Sequence, residues 1–551
     1  MSTNKSPVAR ILNLLRLERK EITAVYFYAI LNGLIQLSLP VGVQAIIGYV
    51  LGASMRASLV VLIALVVLGV LIAGIMQINQ MKIIEKIQQK LFVRYSFAFA
   101  QHIPNMDLKK NDSVYLPELI NRFFDVPLLQ KSLSKILLDI PTAVIQILFG
   151  LLLLSFYHPA FILFGVLLVA ILLLILKYTG GKGLATSLEK SKYKYKVAAW
   201  LEEMARVIKS TRLSKQNELY LQKTDDEVSN YLTARNNHFN VLLFQFNVLV
   251  IFKTLITAAM LIVGTMLMVN QQLTVGQFIA AEIVILLVLN SVEKLIINLG
   301  SVYDTLTAVE KASEITDKPV EKNGTLQVAE TNKGIQLELK DLSFSYTGVS
   351  DVLQNISLKI QPNEKVCISG KDSSGKSTLL KLMTGSYTDF TGSILIDDVP
   401  LGNYNLDSLR AQTGVLMNQQ DIFQGTLLEN IALGNPSVTM DAVKEYAAKT
   451  GLSDFIASLK DGYDTMLDPT GKRLPRNVVH RILLVRALVC KPRLLLLEEP
   501  WLNFNNEHRR QILQLLKEIT NTTLVVVTND EEYIQQCDKV IVMNENGSLN
   551  K

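Results

Sequence analysis

Two stretches in the C-terminal half place residues at spacings that can handle phosphate. The first is GKDSSGKST, Gly370 through Thr378, where Gly370, Gly375, Lys376 and Ser377 fit the pattern GxxxxGK[ST]. Glycines at these positions let successive backbone N–H groups converge on phosphate oxygens, so Lys371, Asp372, Ser373, Ser374 and Thr378 are expected to share in the cradle. Lys376 is expected to reach the β- and γ-phosphates of a nucleotide, and the Ser377 hydroxyl to bind Mg²⁺. The second stretch is RLLLLEEP, residues 493–500, in which four leucines run into two carboxylates. Glu498 is placed to hold the metal, directly or through water. Glu499 is placed to polarise an attacking water as the catalytic base.

Chemistry of this kind needs rigid elements behind it. An apolar strand, KVCISG, leads into the loop, and a helix, TLLKLMTG, follows with its positive N-terminal end facing the anion. The leucine run 494–497 reads as a buried strand that ends at the acids. Strand-like runs IQLELKDLSFSY and ISLKI precede the loop, and the polar stretch 312–335 reads as a linker. The expected domains are a membrane domain over 1–311, that linker, and a nucleotide-binding domain over 336–551.

The first 300 residues have a different character. Hydrophobic residues make up 49% of the 551-residue chain and charged residues only 19%, against about 25% charged in ordinary soluble proteins. A spanning helix needs about 20 mostly apolar residues. Six candidates appear, at 22–45, 57–78, 137–157, 159–177, 241–269 and 275–297. The net charge of +6 comes largely from Lys and Arg between alternate apolar runs, which argues for membrane topology and against a nucleic-acid partner. Arg10, Arg16, Arg19 and Lys20 precede the first span. Lys82, Lys86, Lys90, Arg94, Lys109 and Lys110 fall in one long connection, and Lys182, Lys190, Lys192, Arg206, Lys209 and Arg212 in the other. The remaining loops are short and carry only Arg56. By the positive-inside rule both termini are expected in the cytoplasm of a multi-pass plasma (inner) membrane protein. The start of the chain is polar and basic, so no cleaved signal is expected.

The long cytoplasmic connections are expected to be helical, with tips at Asn105–Pro117 and Leu213–Glu218 on which a motor domain could push. Within the spans, Lys253 and Glu293 lie at similar depth and could pair. Glu282 is shallower, with no evident partner. An intramembrane carboxylate suggests function by default, although a group facing water in a cavity would look the same. Cys367, Cys490 and Cys537 are odd in number and lack metal-ligand spacing, so reduced cytoplasmic thiols are expected.

Together these segments resemble the ATP-binding-cassette exporters of the six-helix, half-transporter kind, over nearly the whole chain. DLSFSY ends in Tyr346, where the family stacks an aromatic on adenine. GSILIDDVPLGNYNLDSLRAQTGVL (392–416), NQQDIFQGTLLENI (418–431), GYDTM (462–466) and RILLVRAL (481–488) follow in the family's order. The resemblance implies ATP and Mg²⁺ as cofactors. It makes Gln419 the glutamine that contacts nucleotide and metal, with Gln420 as the alternative. The implied fold is an all-α six-helix membrane domain plus a cytoplasmic α/β P-loop NTPase domain. The first span, LNGLIQLSLPVGVQAIIGYVLG, is similar to the branch that exports peptides and proteins, which would add a periplasmic adaptor. Lipid or drug export is the near alternative.

Several positions depart from the family's pattern. Its signature LSGGQ falls on Leu474-Pro475-Arg476-Asn477-Val478, without the serine or either glycine. Glu498 stands for the usual aspartate. Leu502-Asn503-Phe504-Asn505 replaces the D-loop SALD, and Asn529 stands for the switch histidine. Asparagine can hydrogen-bond a phosphate but cannot carry an imidazolium charge. In this family each ATP lies between one chain's phosphate loop and the other's signature. A heterodimer with an intact second half-transporter is therefore expected, with a homodimer as the alternative. The expected activity is ATP hydrolysis coupled to export, reduced in this chain alone. The other expectation is a regulatory subunit that binds ATP without hydrolysing it.

Overall fold

The computed structural model describes residues 6–51, 57–112, 114–213, 218–346, 348, 350–418 and 420–550. It divides into two compact units: Met1–Pro104 with Val114–Lys318, and Asn105–Ser113 with Pro319–Lys551.

The first unit is helical. Among the described residues, six segments are long and apolar enough to cross a membrane: Arg19–Leu51, Ala57–Asn105, Leu116–Tyr157, Ala160–Arg206, Glu218–Val269 and Val275–Thr316. They outrun the expected spans because their helices continue past the apolar stretch. Ala57–His102, Ala160–Arg206 and Glu218–Val269 have 46, 47 and 52 residues. At about 1.5 Å per residue each is roughly 70 Å or longer, more than twice the ~30 Å hydrocarbon core. The first segment is broken into Arg19–Gln36 and Ser38–Leu51. Pro40 sits just past the break; it has no N–H to donate to the Gln36 carbonyl, and its ring crowds that carbonyl. The last segment is likewise two helices, Val275–Ile297 and Leu299–Thr316, so helix continues into the stretch read as linker from residue 312.

Polar side chains stitch these helices together. Buried Gln245 donates to the Thr179 hydroxyl at 2.6 Å and the Tyr303 hydroxyl at 2.9 Å. Ser291 donates to Gln146 at 2.8 Å. Lys253 and Glu293 form an ion pair at 2.8 Å. In lipid such contacts satisfy groups that would otherwise have no partner, at about 0.6 kcal/mol each. Glu282 is half-buried and has no hydrogen bond or ion pair among the described residues.

The second unit carries the nucleotide chemistry. An antiparallel sheet has the order β2–β1–β4–β5, from Leu337–Phe344 (β1), Leu353–Ile360 (β2), Thr391–Ile396 (β4) and Val399–Pro400 (β5). A parallel sheet has the order β11–β3–β10–β9–β6, from Lys365–Gly370 (β3), Thr413–Leu416 (β6), Leu494–Glu498 (β9), Thr523–Val527 (β10) and Lys539–Met543 (β11). A short ribbon pairs Gly425–Thr426 (β7) with Met466–Leu467 (β8). β9 and β10 are buried along their whole length, as strands covered on both faces must be. Leu494 and Leu496 face the core under β1 and β2. Leu495 and Leu497 face Trp501, Leu515 and Leu516, so the leucine run fills both layers with a period of two. A third cluster, including Ile422, Leu427, Val443, Leu452 and Ile482, builds a helical layer of its own.

Residues Asn105–Ser113, part of an expected tip, group with this unit. Asp107 donates its N–H to the Pro319 carbonyl at 2.9 Å. Lys109 pairs with Asp389 at 3.0 Å and lies 4.8 Å from the Phe344 ring centre. Within the other tip, 214–217 lie outside the described residues.

Candidate nucleotide site

In open parallel sheets, ligands bind beyond the carboxyl ends of the strands. β3, β10 and β9 are neighbours, with Val527 paired to Ile368 on one side and to Glu498 on the other. The three strand ends therefore deliver the 370–378 loop, the segment Thr528–Asn529, and the two acids to one edge.

The loop takes left-handed backbone at Ser373 (φ 65°) and Gly375 (φ 93°) before the helix Lys376–Met383. Alternation of this kind turns N–H groups inward into an anion-binding nest. Gly375 has no tolerance for a side chain: a Cβ there would lie 2.7 Å from Leu353 and 3.0 Å from the Val352 carbonyl. Lys376 donates to the carbonyls of Gly370 and Lys371 at 2.7 and 2.6 Å, bracing the loop. Lys371 pairs with Glu545 at 2.5 Å on an exposed edge. Asp372 and Ser373 are exposed, while the Ser374 hydroxyl is buried with no partner among the described residues. Tyr346 donates to or accepts from the Thr378 hydroxyl at 3.0 Å and packs edge-on against Tyr387, so this aromatic is tied to the helix that follows the loop.

Ser377 donates to Glu498 at 2.5 Å, and the other Glu498 oxygen accepts the Asn418 N–H at 3.0 Å. The two groups expected to share a metal thus touch. A hydroxyl and a carboxylate are hard oxygen donors of the type Mg²⁺ takes, so the residues fit the ion. Gln419 lies outside the described residues. Its neighbour Gln420 turns back onto the backbone and accepts the Met417 N–H at 3.2 Å.

Glu499 sits at the strand end with φ 45°. Its carboxylate accepts from the Thr528 hydroxyl at 3.0 Å. Burial pushes this carboxyl above the usual range, against the hydrogen bonds from Thr528 and the Asn529 backbone. His480 bonds the Glu499 carbonyl at 3.0 Å. Burial lowers its imidazole pKa, so the ring stays neutral with Nε2 as donor. Neither Thr528 nor His480 was singled out in the sequence. Thr528 ends an apolar strand and His480 lies inside a helix, so no motif marks either one. Asn529 accepts the Gly370 N–H at 3.0 Å, so the switch position clamps the start of the loop.

The segment Leu474–Val478 opens the helix Arg476–Leu488. Pro475 is its N-cap and makes no side-chain capping bond, the first turn holds no acid, and Pro475 and Arg476 are exposed.

Comparison with known proteins follows this division of the chain. Residues 353–502 match the family model described as ABC transporter, and residues 22–292 match the ABC transporter transmembrane region. The chain belongs to the ABC transporters. It is 32% identical over 246 residues to the alpha-hemolysin translocation ATP-binding protein HlyB of Escherichia coli O157:H7, over 44% of this chain and 35% of that protein. It is 32% identical over 245 residues to an ATP-dependent lipid A-core flippase of Saccharophagus degradans, over 44% of this chain and 42% of that one. These matches span less than half of either relative. The structure of a bacterial Atm1-family ABC exporter with ATP bound superposes with a TM-score of 0.86 at 18% identity, over 97% of this chain and 94% of that one. The fold of this ABC transporter chain is thus that of an exporter half: six apolar helices followed by an α/β nucleotide-binding domain.

Proposed function

We propose that this chain is one half of a dimeric ATP-driven exporter in a bacterial-type plasma membrane, with both termini in the cytoplasm. The observation that carries the reading is the convergence at one sheet edge. Lys376, Ser377, Glu498 and Glu499 meet there in a chain with six candidate spans. In this reading the loop and Lys376 bind ATP phosphates, and Tyr346 supports the base. Ser377 and Glu498 hold Mg²⁺, with Gln419 as a further ligand. Held there, Mg²⁺ would supply positive charge against the phosphates. Glu499 accepts the proton of the attacking water; burial makes it a stronger base than an exposed glutamate.

The partner is a second half-transporter with an intact signature. Pro475 removes a backbone donor where the family offers one, and Asn529 is spent on Gly370. These features favour a heterodimer over a homodimer. They also support the second reading, a regulatory subunit that binds ATP but leaves hydrolysis to its partner. The cargo is a polypeptide or a lipid, the classes named for the two relatives; a periplasmic adaptor would accompany the first.

The test is ATP binding and turnover by the purified chain, alone and with a co-purified partner. Turnover alone that is lost in Glu499→Gln supports a working site. Turnover only with the partner, still lost in Glu499→Gln, supports the heterodimer. Turnover with the partner that survives Glu499→Gln supports the regulatory reading. Absence of ATP binding under all conditions would refute the proposal.

A further inference from the structure

Glu499 holds a backbone conformation that glutamate rarely takes. Its φ of 45° is left-handed, a region in which residues other than glycine are uncommon. Such strain persists only where surrounding groups over-determine it, and it gathers at functional sites. Four hydrogen bonds hold the residue. Its N–H donates to the Val527 carbonyl at 3.0 Å, and its carbonyl accepts from the Leu502 N–H at 2.9 Å. The same carbonyl accepts from His480 at 3.0 Å. The carboxylate accepts from the Thr528 hydroxyl at 3.0 Å. Of these partners, His480 alone reaches in from a helix, Arg476–Leu488.

His480 is itself fixed. Its ring is buried and stands edge-on to Phe504, with 5.6 Å between centres and 87° between planes. Phe504 packs against the cluster that holds Trp501 and Leu497, and its N–H donates to the Trp501 carbonyl at 3.1 Å. Arg481 lies 5.2 Å from the Phe504 ring centre and is anchored to the Gly451 carbonyl at 2.6 Å. The imidazole therefore grips both ends of the turn that leaves Glu499: the start by a hydrogen bond, the end by a ring contact. A carbonyl only accepts, so Nε2 carries a proton whichever charge state the ring takes. A histidine buried only to fill space has no need to aim that donor at a strained carbonyl.

We propose that His480 is a positioning residue for Glu499: its Nε2–H fixes the Glu499 carbonyl, and with it the direction in which the carboxylate leaves the strand end. The proposal rests on the reading that Glu499 accepts the proton of water. Without the donor, the Leu502 N–H holds the carbonyl alone. The peptide after Glu499 can then rotate to relieve the strain, and the carboxylate turns away from the Thr528 hydroxyl. The phosphate loop is braced separately, by Lys376 on the Gly370 and Lys371 carbonyls. Turnover should therefore fall while ATP affinity stays.

The experiment uses the full chain in detergent or nanodiscs, in whichever assembly hydrolyses ATP, with active sites counted by nucleotide titration. His480→Phe keeps a ring beside Phe504 and removes the donor. It should lower kcat about tenfold, one hydrogen bond's worth, with KM for ATP unchanged. His480→Gln, whose amide N–H can take over the bond, should stay near the native rate. His480→Leu is the second donor-free variant should the phenylalanine fail to fold. Amide exchange over residues 499–505, read by mass spectrometry, should be faster in the donor-free variants and native-like in His480→Gln. An unchanged kcat in a folded donor-free variant would overturn the inference. So would a loss confined to KM, or a His480→Gln variant as slow as the donor-free one. Absence of turnover in every assembly would instead refute the reading of Glu499 as the base. Amide exchange would then decide the hold: faster exchange in the donor-free variant supports it, and unchanged exchange overturns it.

Discussion

Two helices of the nucleotide-binding unit begin in contrasting ways. Lys376–Met383 starts at Gly375, in a left-handed conformation that packing closes to any side chain. Arg476–Leu488 starts at Pro475, with a bulky cation in its first turn. Every helix N-terminus presents unpaired N–H groups and partial positive charge. The difference is what an anion can reach. At Gly375 the donors are backbone groups held in place by the loop. At Pro475 one donor is missing, and Arg476 offers a flexible guanidinium in its place. One end is pre-organised for phosphate; the other has kept the helix and lost the approach.

The largest expected effect breaks the working side of this comparison. Glu499→Gln should lower turnover about 10²–10⁴-fold, the usual worth of a general base, with ATP binding retained; steady-state ATPase assays of whichever assembly is active check it. The buried carboxyl also predicts pH behaviour. Its folded-state pKa is raised by burial, so the ionised form costs stability as pH rises through that value. Glu499→Gln removes this cost and should raise the melting temperature at neutral pH while leaving it little changed at low pH. The acid limb of turnover should lie above the ~4.3 of an ordinary glutamate.

Next comes Lys376→Ala, which should weaken ATP binding about 10–100-fold. That is the worth of a charged hydrogen bond, about 1.5–3 kcal/mol. Titration with a fluorescent nucleotide reads it directly. Arg476→Ala should leave the same titration unchanged in the isolated chain, because Arg476 belongs to the other end of the comparison. Equal losses in the two variants would erase the distinction.

How much of this was legible in the residues depends on range. GxxxxGKS and the leucine run before Glu498 and Glu499 are local patterns, and their strand–loop–helix setting followed from hydrophobic period. The break at Leu37 was not marked, although Pro40 carried the signal; an apolar stretch reads the same whether its helix is continuous or kinked. The partners of the site residues were hidden for another reason. Thr528 meets Glu499 and Asn529 meets Gly370 only because β10 lies between β3 and β9, and His480 reaches the Glu499 carbonyl from the helix Arg476–Leu488. Strand order is set by packing far along the chain, and a single sequence does not state it.

The comparison sharpens if the weaker end can be repaired. Pro475→Ser, Arg476→Gly and Asn477→Gly together restore the small residues that let backbone approach an anion. In the isolated chain this triple variant should raise ATPase activity about tenfold, the gain of a hydrogen bond or two. No gain would show that the limit lies elsewhere, and the switch position is the remaining candidate.

Asn529→His addresses that candidate and should have the smallest effect. Asn529 now accepts the Gly370 N–H at 3.0 Å. A neutral imidazole can replace that acceptor with its unprotonated nitrogen, whereas a protonated one cannot, because both nitrogens then donate. The substitution therefore trades the clamp for a charge as pH falls through the ordinary histidine value near 6.5. Above that value the variant should behave as the native chain. Below it the loop is released while the imidazolium becomes free to meet a phosphate, and turnover in the triple-repaired background should rise a few-fold. A pH profile of ATPase activity distinguishes the outcomes. A rise confined to the acid side assigns the effect to the charge. A uniform change at all pH values assigns it to the lost clamp, and makes the loop, more than the missing histidine, the element that Asn529 controls.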